Sequence, residues 1–137
     1  MKKLIISLAC ALASSAVFAA TYEVSLTGPG GHSNGNYGNT NAVHAGSRVI
    51  LELEKAIPCA VVTNFKGGAT VNAIAGDAAF KVNTAPCKGS AAEHKSLIEQ
   101  AVKAGVTKEN DFRNVRPGDL VKGFPAEIRY EIKEIAK

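Results

Sequence analysis

Tyr22-Glu23-Val24-Ser25-Leu26-Thr27 alternates apolar with polar side chains, and beyond a glycine-rich loop the period changes. From Thr40 onward Val43, Gly46, Ile50, Leu53 and Ile57 recur at steps of three and four, with Arg48, Glu52 and Lys55 elsewhere on the wheel. A period of two places successive side chains on opposite faces of a strand, whereas a period near 3.6 gathers them into one stripe of a helix. The stretch therefore reads as strand, loop and amphipathic helix, and Pro58, which lacks an N–H, ends the helix. The same two periods return down the chain. Residues 60–65 have strand composition, Lys66-Gly67-Gly68-Ala69 reads as a turn, and Ala78, Phe80 and Val82 form one face of a strand opposite Asp77, Ala79, Lys81 and Asn83. Ser90-Ala91-Ala92-Glu93 has the spacing of a capping box, in which Ser90 accepts from the first turn and Glu93 reaches back. The helix it opens carries Leu97, Ile98, Ala101 and Val102, and Gly105 predicts its C-terminal stop. Residues 106–126 read as irregular or as a short turn of helix, and Ile128, Tyr130 and Ile132 against Arg129, Glu131 and Lys133 give a last strand.

The order is β-α-β-β-α-β. Four strands with one apolar face each, and two helices with one apolar stripe each, bury one another most simply with both helices on one face of a four-stranded antiparallel sheet. The expected class is α+β, a ferredoxin-like two-layer sandwich. The 137 residues, 46% hydrophobic and 20% charged, give room for one compact core and not for a complete two-domain metallohydrolase. Apolar content at that level argues against disorder.

Met1-Lys2-Lys3, the apolar run Leu4 to Leu12 and the small-x-small pattern at Val17 and Ala19 read as an export signal cut after Ala19. The expected division is a signal peptide at 1–19 and one domain at 20–137, periplasmic or secreted. The apolar run is shorter than the ~20 residues of a membrane span, so no membrane association is expected after cleavage. Cys10 has no leucine three residues before it and makes a poor lipidation site. Loss of Lys2 and Lys3 with the leader leaves 14 basic against 12 acidic side chains, a formal +2 without a basic run. Nucleic acid is therefore not an expected partner. Cys59 and Cys87 remain, and in an oxidising compartment a pair favours one disulfide; the alternative is two free, buried thiols. A hairpin folded at Gly67-Gly68 brings both cysteines to one end of the sheet, but places position 80 opposite Cys59, so that Cys87 has to loop back.

The conspicuous loop is Gly28-Pro29-Gly30-Gly31-His32-Ser33-Asn34-Gly35-Asn36-Tyr37-Gly38-Asn39, between a strand and a helix. Its glycines allow close backbone approach, but it contains neither a Gly-Lys-Ser/Thr step nor a dinucleotide-binding fingerprint, so no phosphate cofactor is expected. His32, His44 and His94 are the only histidines, and none has an acidic residue at a recognisable ligand spacing. No metal, no other cofactor and no catalytic set is predicted from these residues.

Gly30-Gly31-His32-Ser33, followed by a polar loop and by Asn41-Ala42-Val43 at a helix start, resembles the lid, or dimerisation, domain of the M20 metallopeptidases, closest to the Xaa-His dipeptidase type. Asn64-Phe65-Lys66-Gly67-Gly68-Ala69-Thr70-Val71-Asn72-Ala73-Ile74 is similar to the Gly-Gly-x-x-x-Asn-x-Ile signature of that lid, and the likeness spans about residues 22–135. The resemblance implies the ferredoxin-like fold and a homodimer paired through the edge strand at 60–65 and the first helix. It also implies substrate or partner contacts by His32 and Asn72, supported by Gly31, Gly67 and Gly68. In the family the histidine that His32 matches reaches across the dimer to a substrate carbonyl, where an imidazole N–H stabilises developing negative charge. Two positions depart from the pattern: Ala75 stands where the family has proline, and Asn83-Thr84-Ala85 replaces an Asp-x-Arg, which removes a substrate-carboxylate arginine. The family's metal-binding motifs belong to a separate catalytic domain and have no counterpart in this sequence. Three functional readings follow: a secreted dimerisation and binding module without hydrolysis of its own; a lid that completes a peptidase whose catalytic domain is on another chain; and an independent periplasmic binder of peptides or small ligands.

Overall fold

The computed structural model describes residues 20–135, so the expected leader lies outside the described residues. Six principal elements appear in the order read from the sequence: β1 (Thr21–Thr27), α1 (Ala42–Ala56), β3 (Val61–Gly67), β5 (Asp77–Asn83), α2 (Ala91–Phe112) and β8 (Arg129–Ile135). Two short ladders are added, β2 (Gly31–His32) with β4 (Ala73–Ile74), and β6 (Leu120–Val121) with β7 (Phe124–Pro125). The sheet order is β3-β5-β1-β8 with every pair antiparallel, so each helical crossover skips one strand, as the ferredoxin-like sandwich requires.

The core lies between the sheet and the two helices. Tyr22, Val24 and Leu26 of β1 and Ala78, Phe80 and Val82 of β5 are buried, as the alternation predicts. Ala45, Val49 and Leu53 of α1 and Ile98, Val102 and Val106 of α2 meet them. Asn41 caps α1 by accepting from the N–H groups of Val43 at 3.0 Å and His44 at 3.1 Å. Ser90 caps α2 by accepting from Glu93 N–H at 3.1 Å. The reciprocal half of the capping box does not form among the described residues.

Three local expectations are corrected. Gly105 does not stop α2, which runs on to Phe112; it is buried at the helix crossing, where a Cβ would press on the backbone of Val49. Close helix approach, rather than chain termination, is what this glycine serves. The segment 106–126 is accordingly part helix and part β6–β7 hairpin. Lys66-Gly67-Gly68-Ala69 is not a tight turn either: β3 ends at Gly67, and the chain runs out through β4 before returning at Asp77.

That longer excursion also resets the register. Val61 pairs with Asn83, which places the stretch beyond Asn83, not position 80, opposite Cys59. Cys59 and Cys87 form a disulfide with a Cα–Cα distance of 5.2 Å, joining the connection before β3 to the one after β5. Within β3 one extra residue lies between Thr63 and Lys66, with Asn64 at φ +56°. The bulge lets Phe65 turn toward the helices, as Val62 does, although the two are an odd number of residues apart. Phe65 packs edge-on to Phe80, with ring centroids 6.1 Å apart, and rests on Gly46 of α1.

Candidate functional site

The two segments singled out in the sequence meet on one side of the domain. Gly31 pairs with Ile74 and His32 with Ala73 across the β2–β4 ladder. Further backbone bonds tie the excursions together: Gly28 N–H donates to Gly76 O and Ser33 N–H to Asn72 O, both at 2.9 Å, and Ala42 N–H donates to Ala75 O at 2.8 Å. Loops normally lack such cross-links, so these hold two otherwise irregular segments in fixed relation. Gly31 has φ +131°, and a Cβ there would collide with the Asn36 side chain. Gly67 lies so close to the Asp77 carbonyl that a Cβ would strike it, and Gly68 N–H donates to that same carbonyl at 3.2 Å. Gly67 and Gly68 thus launch the loop that carries Asn72, while Gly31 shapes the loop that carries His32.

The His32 and Asn72 side chains are in contact. The Asn72 amide lies 3.2 Å from His32 Nε2, and Thr70 Oγ1 lies 2.8 Å from the other end of that amide. Asn34 N–H donates to His32 Nδ1 at 3.3 Å. A neutral ring that accepts at Nδ1 carries its proton on Nε2. That proton is satisfied when the amide presents its oxygen to the ring and its nitrogen to Thr70 Oγ1, a half-turn of the amide about its own axis. The pair is exposed, as are Tyr37 and Val71 at the tips of the two loops. Thr70 and Asn34 were not singled out in the sequence; the Thr-x-Asn step at 70–72 is the local signal that marks the first of them.

The other two histidines lie elsewhere. His44, on the first turn of α1, has Nδ1 3.5 Å from Arg113 Nη2, and His94 is buried with Nε2 2.7 Å from the Lys88 carbonyl oxygen. Among the described residues no group of three or more His, Cys, Asp or Glu side chains could hold a metal ion.

Comparison with known proteins follows the same line. The peptidase dimerisation domain of the M20 family matches residues 18–109. Among solved structures, the chain is similar to aminoacylhistidine dipeptidase from Vibrio alginolyticus, at 20% identity and a TM-score of 0.57, over 87% of this chain and 22% of that one. It is also similar to a hydantoinase/carbamoylase family amidase from Burkholderia ambifaria, at 19% identity and a TM-score of 0.53, over 85% and 27%. A third is the aminobenzoyl-glutamate utilization protein from Klebsiella pneumoniae, at 17% identity and a TM-score of 0.52, over 85% and 28%. At these identities the likeness concerns the fold, and the chain spans about a quarter of the length of each. The comparison with curated proteins returned no match. With its sheet order, its paired loops and a family match over most of its length, the chain belongs to the M20 peptidase dimerisation-domain family.

Proposed function

We propose that this domain is a dimerisation and binding module, exported by the leader at 1–19, with no hydrolysis of its own. The observation that carries the reading is the free edge of β3, seven residues with a single charge, Lys66. Val61 and Phe65 are exposed along it, and Leu51 is exposed on the neighbouring helix α1. An edge of unpaired N–H and C=O groups flanked by apolar side chains is suited to antiparallel pairing with a second copy about a two-fold axis. Sedimentation velocity at tens of micromolar is expected to give a dimer; a monomer throughout that range contradicts the reading.

The His32–Asn72 pair is the binding element of the proposal. A ligand carbonyl or carboxylate that replaces the Asn72 amide as the partner of His32 Nε2–H frees that amide to contact the same ligand, and neither group can activate water by itself. The ligand class we favour is a short peptide, tested with an aminoacyl-histidine dipeptide as probe. His32→Ala is expected to leave the fold intact, since the ring is exposed, and to weaken dipeptide binding by roughly 1–3 kcal/mol. Unchanged affinity removes His32 from the site.

A second reading is favoured by the chain's spanning about a quarter of the solved peptidases it is similar to. In it the domain supplies the lid to a catalytic domain on another chain. Dipeptide hydrolysis with zinc or manganese, absent from the pure protein and restored by a periplasmic extract only in its presence, supports this reading. Hydrolysis that stays with the pure protein through repeated purification contradicts both.

A further inference from the structure

Glu109 of α2 is fully buried, the one acidic side chain on a buried stripe that includes Ile98, Val102 and Gly105. A carboxylate removed from water needs partners on both oxygens. Oε1 accepts from Arg48 Nε at 3.4 Å, while Oε2 accepts from Asn41 N–H at 3.3 Å and lies 3.6 Å from Arg113 Nε. One buried carboxylate thus accepts from Arg48 Nε and faces Arg113 Nε, a buried N–H without a hydrogen-bond partner among the described residues, so that both guanidinium groups gather about one negative charge. The Phe112 ring lies beside both, its centroid 4.9 Å from Arg48 Cζ and 5.1 Å from Arg113 Cζ.

These contacts orient the two forks without using up their donors. Arg113 Nη2 touches only His44 Nδ1, and no second carboxylate pairs with either arginine among the described residues. Glu52, one turn further along α1, is engaged by Lys55 and Lys108. Both arginines reach solvent, with side chains 33% and 21% exposed, and Phe112 is 66% exposed beside them. Two positive groups against one negative leave a single excess charge, and the positive end of α1 lies next to it.

We infer that Arg48 and Arg113, floored by Phe112, form a docking point for a singly charged carboxylate that carries an apolar group, as at a peptide C-terminus or on a small organic acid. The net charge matches one carboxylate, the guanidinium forks match its two oxygens, and the exposed ring offers apolar contact next to them. The site belongs to the helical layer and depends neither on the edge of β3 nor on His32.

NMR titration of the arginine Nε–H and Phe112 ring signals tests it, with benzoate as the small acid and with a peptide ending in leucine, either as the free acid or as the amide. Saturable shifts are expected with benzoate, with the free-acid peptide or with both, which identifies the source; the amide is expected to produce none. Arg48→Gln with Arg113→Gln should abolish the shifts. Because that variant leaves Glu109 without its cations, Arg48→Lys is the companion: it keeps the charge, folds, and loses about tenfold in affinity with the fork. Lys55→Gln should change nothing. Equal binding of the peptide amide, no saturation up to roughly 50 mM, a range that covers weak millimolar affinities, or full affinity in Arg48→Lys overturns the inference.

Discussion

The two outer strands of the sheet have the same length and opposite chemistry. β8, Arg129 to Ile135, carries four charged side chains in seven, Arg129, Glu131, Lys133 and Glu134. β3, Val61 to Gly67, carries one. Charges along an edge oppose the approach of another strand, because pairing would desolvate them. β8 is defended in this way, whereas β3 presents Val61 and Phe65, and α1, which packs against it, exposes Leu51. The disulfide sharpens the contrast, since it anchors the start of β3 to the connection after β5, and among the described residues no comparable cross-link reaches β8. A sheet can therefore have one edge closed by charge and the other tied by a disulfide and left open, and the second is the one on which the proposed pairing rests.

Breaking the difference at β3 should have the largest effect. Leu51→Glu with Val61→Glu places two charges on the proposed pairing surface, and is expected to weaken self-association by roughly 3 kcal/mol, more than a hundredfold. Analytical ultracentrifugation measures it, and an undiminished dimer contradicts the assignment of that edge. The reverse experiment, Glu131→Thr with Lys133→Thr, should leave that dimer intact and add a second, concentration-dependent association through the undefended β8. Replacing both cysteines, Cys59→Ser with Cys87→Ser, should cost about 3 kcal/mol in urea unfolding for a loop of this length. Gly105→Ala should cost about 1–3 kcal/mol by forcing α2 away from Val49 of α1, the helix that flanks β3; a stability equal to that of the parent would show that the crossing has slack.

The smallest effect concerns the exposed side of α1. Hydrogen bonds from Lys108 and then Lys55 hold the Glu52 carboxyl below its ordinary value of 4.5. A depressed folded value means that the pairing stabilises above the ordinary value and that its contribution is lost as pH falls through the folded one. Glu52→Gln should lower the melting temperature slightly at neutral pH and not at all in strong acid, because the parent then carries a neutral side chain as well. A difference that persists in acid would place the effect outside this ion pair.

The elements that the sequence made legible are those whose burial follows from local period, β1, α1 and β5; β8 lies where alternation put it, but Tyr130 on its apolar face is exposed and Ile132 only half-buried. The loops at 28–39 and 68–76 were legible as motifs, but the contact between His32 and Asn72 depends on a ladder of two residues per strand, too short to leave a period. Gly105 was misread because a glycine at a helix crossing and a glycine at a helix end look alike along the chain; only the proximity of Val49 separates them. Glu109 was overlooked although its position left a trace, a lone acid on the stripe of Ile98, Val102 and Gly105. A charge at such a position asks for cations from another element, and Arg48 supplies one from α1.

Hydrogen exchange followed by mass spectrometry over a range of protein concentration tests the central claim most directly, because it reads both edges in one sample. Protection of the peptides covering 61–67 is expected to rise with concentration, while exchange in 129–135 stays the same. Protection that grows at 129–135, or at neither edge while the protein is dimeric, would contradict the assignment of β3 as the open edge.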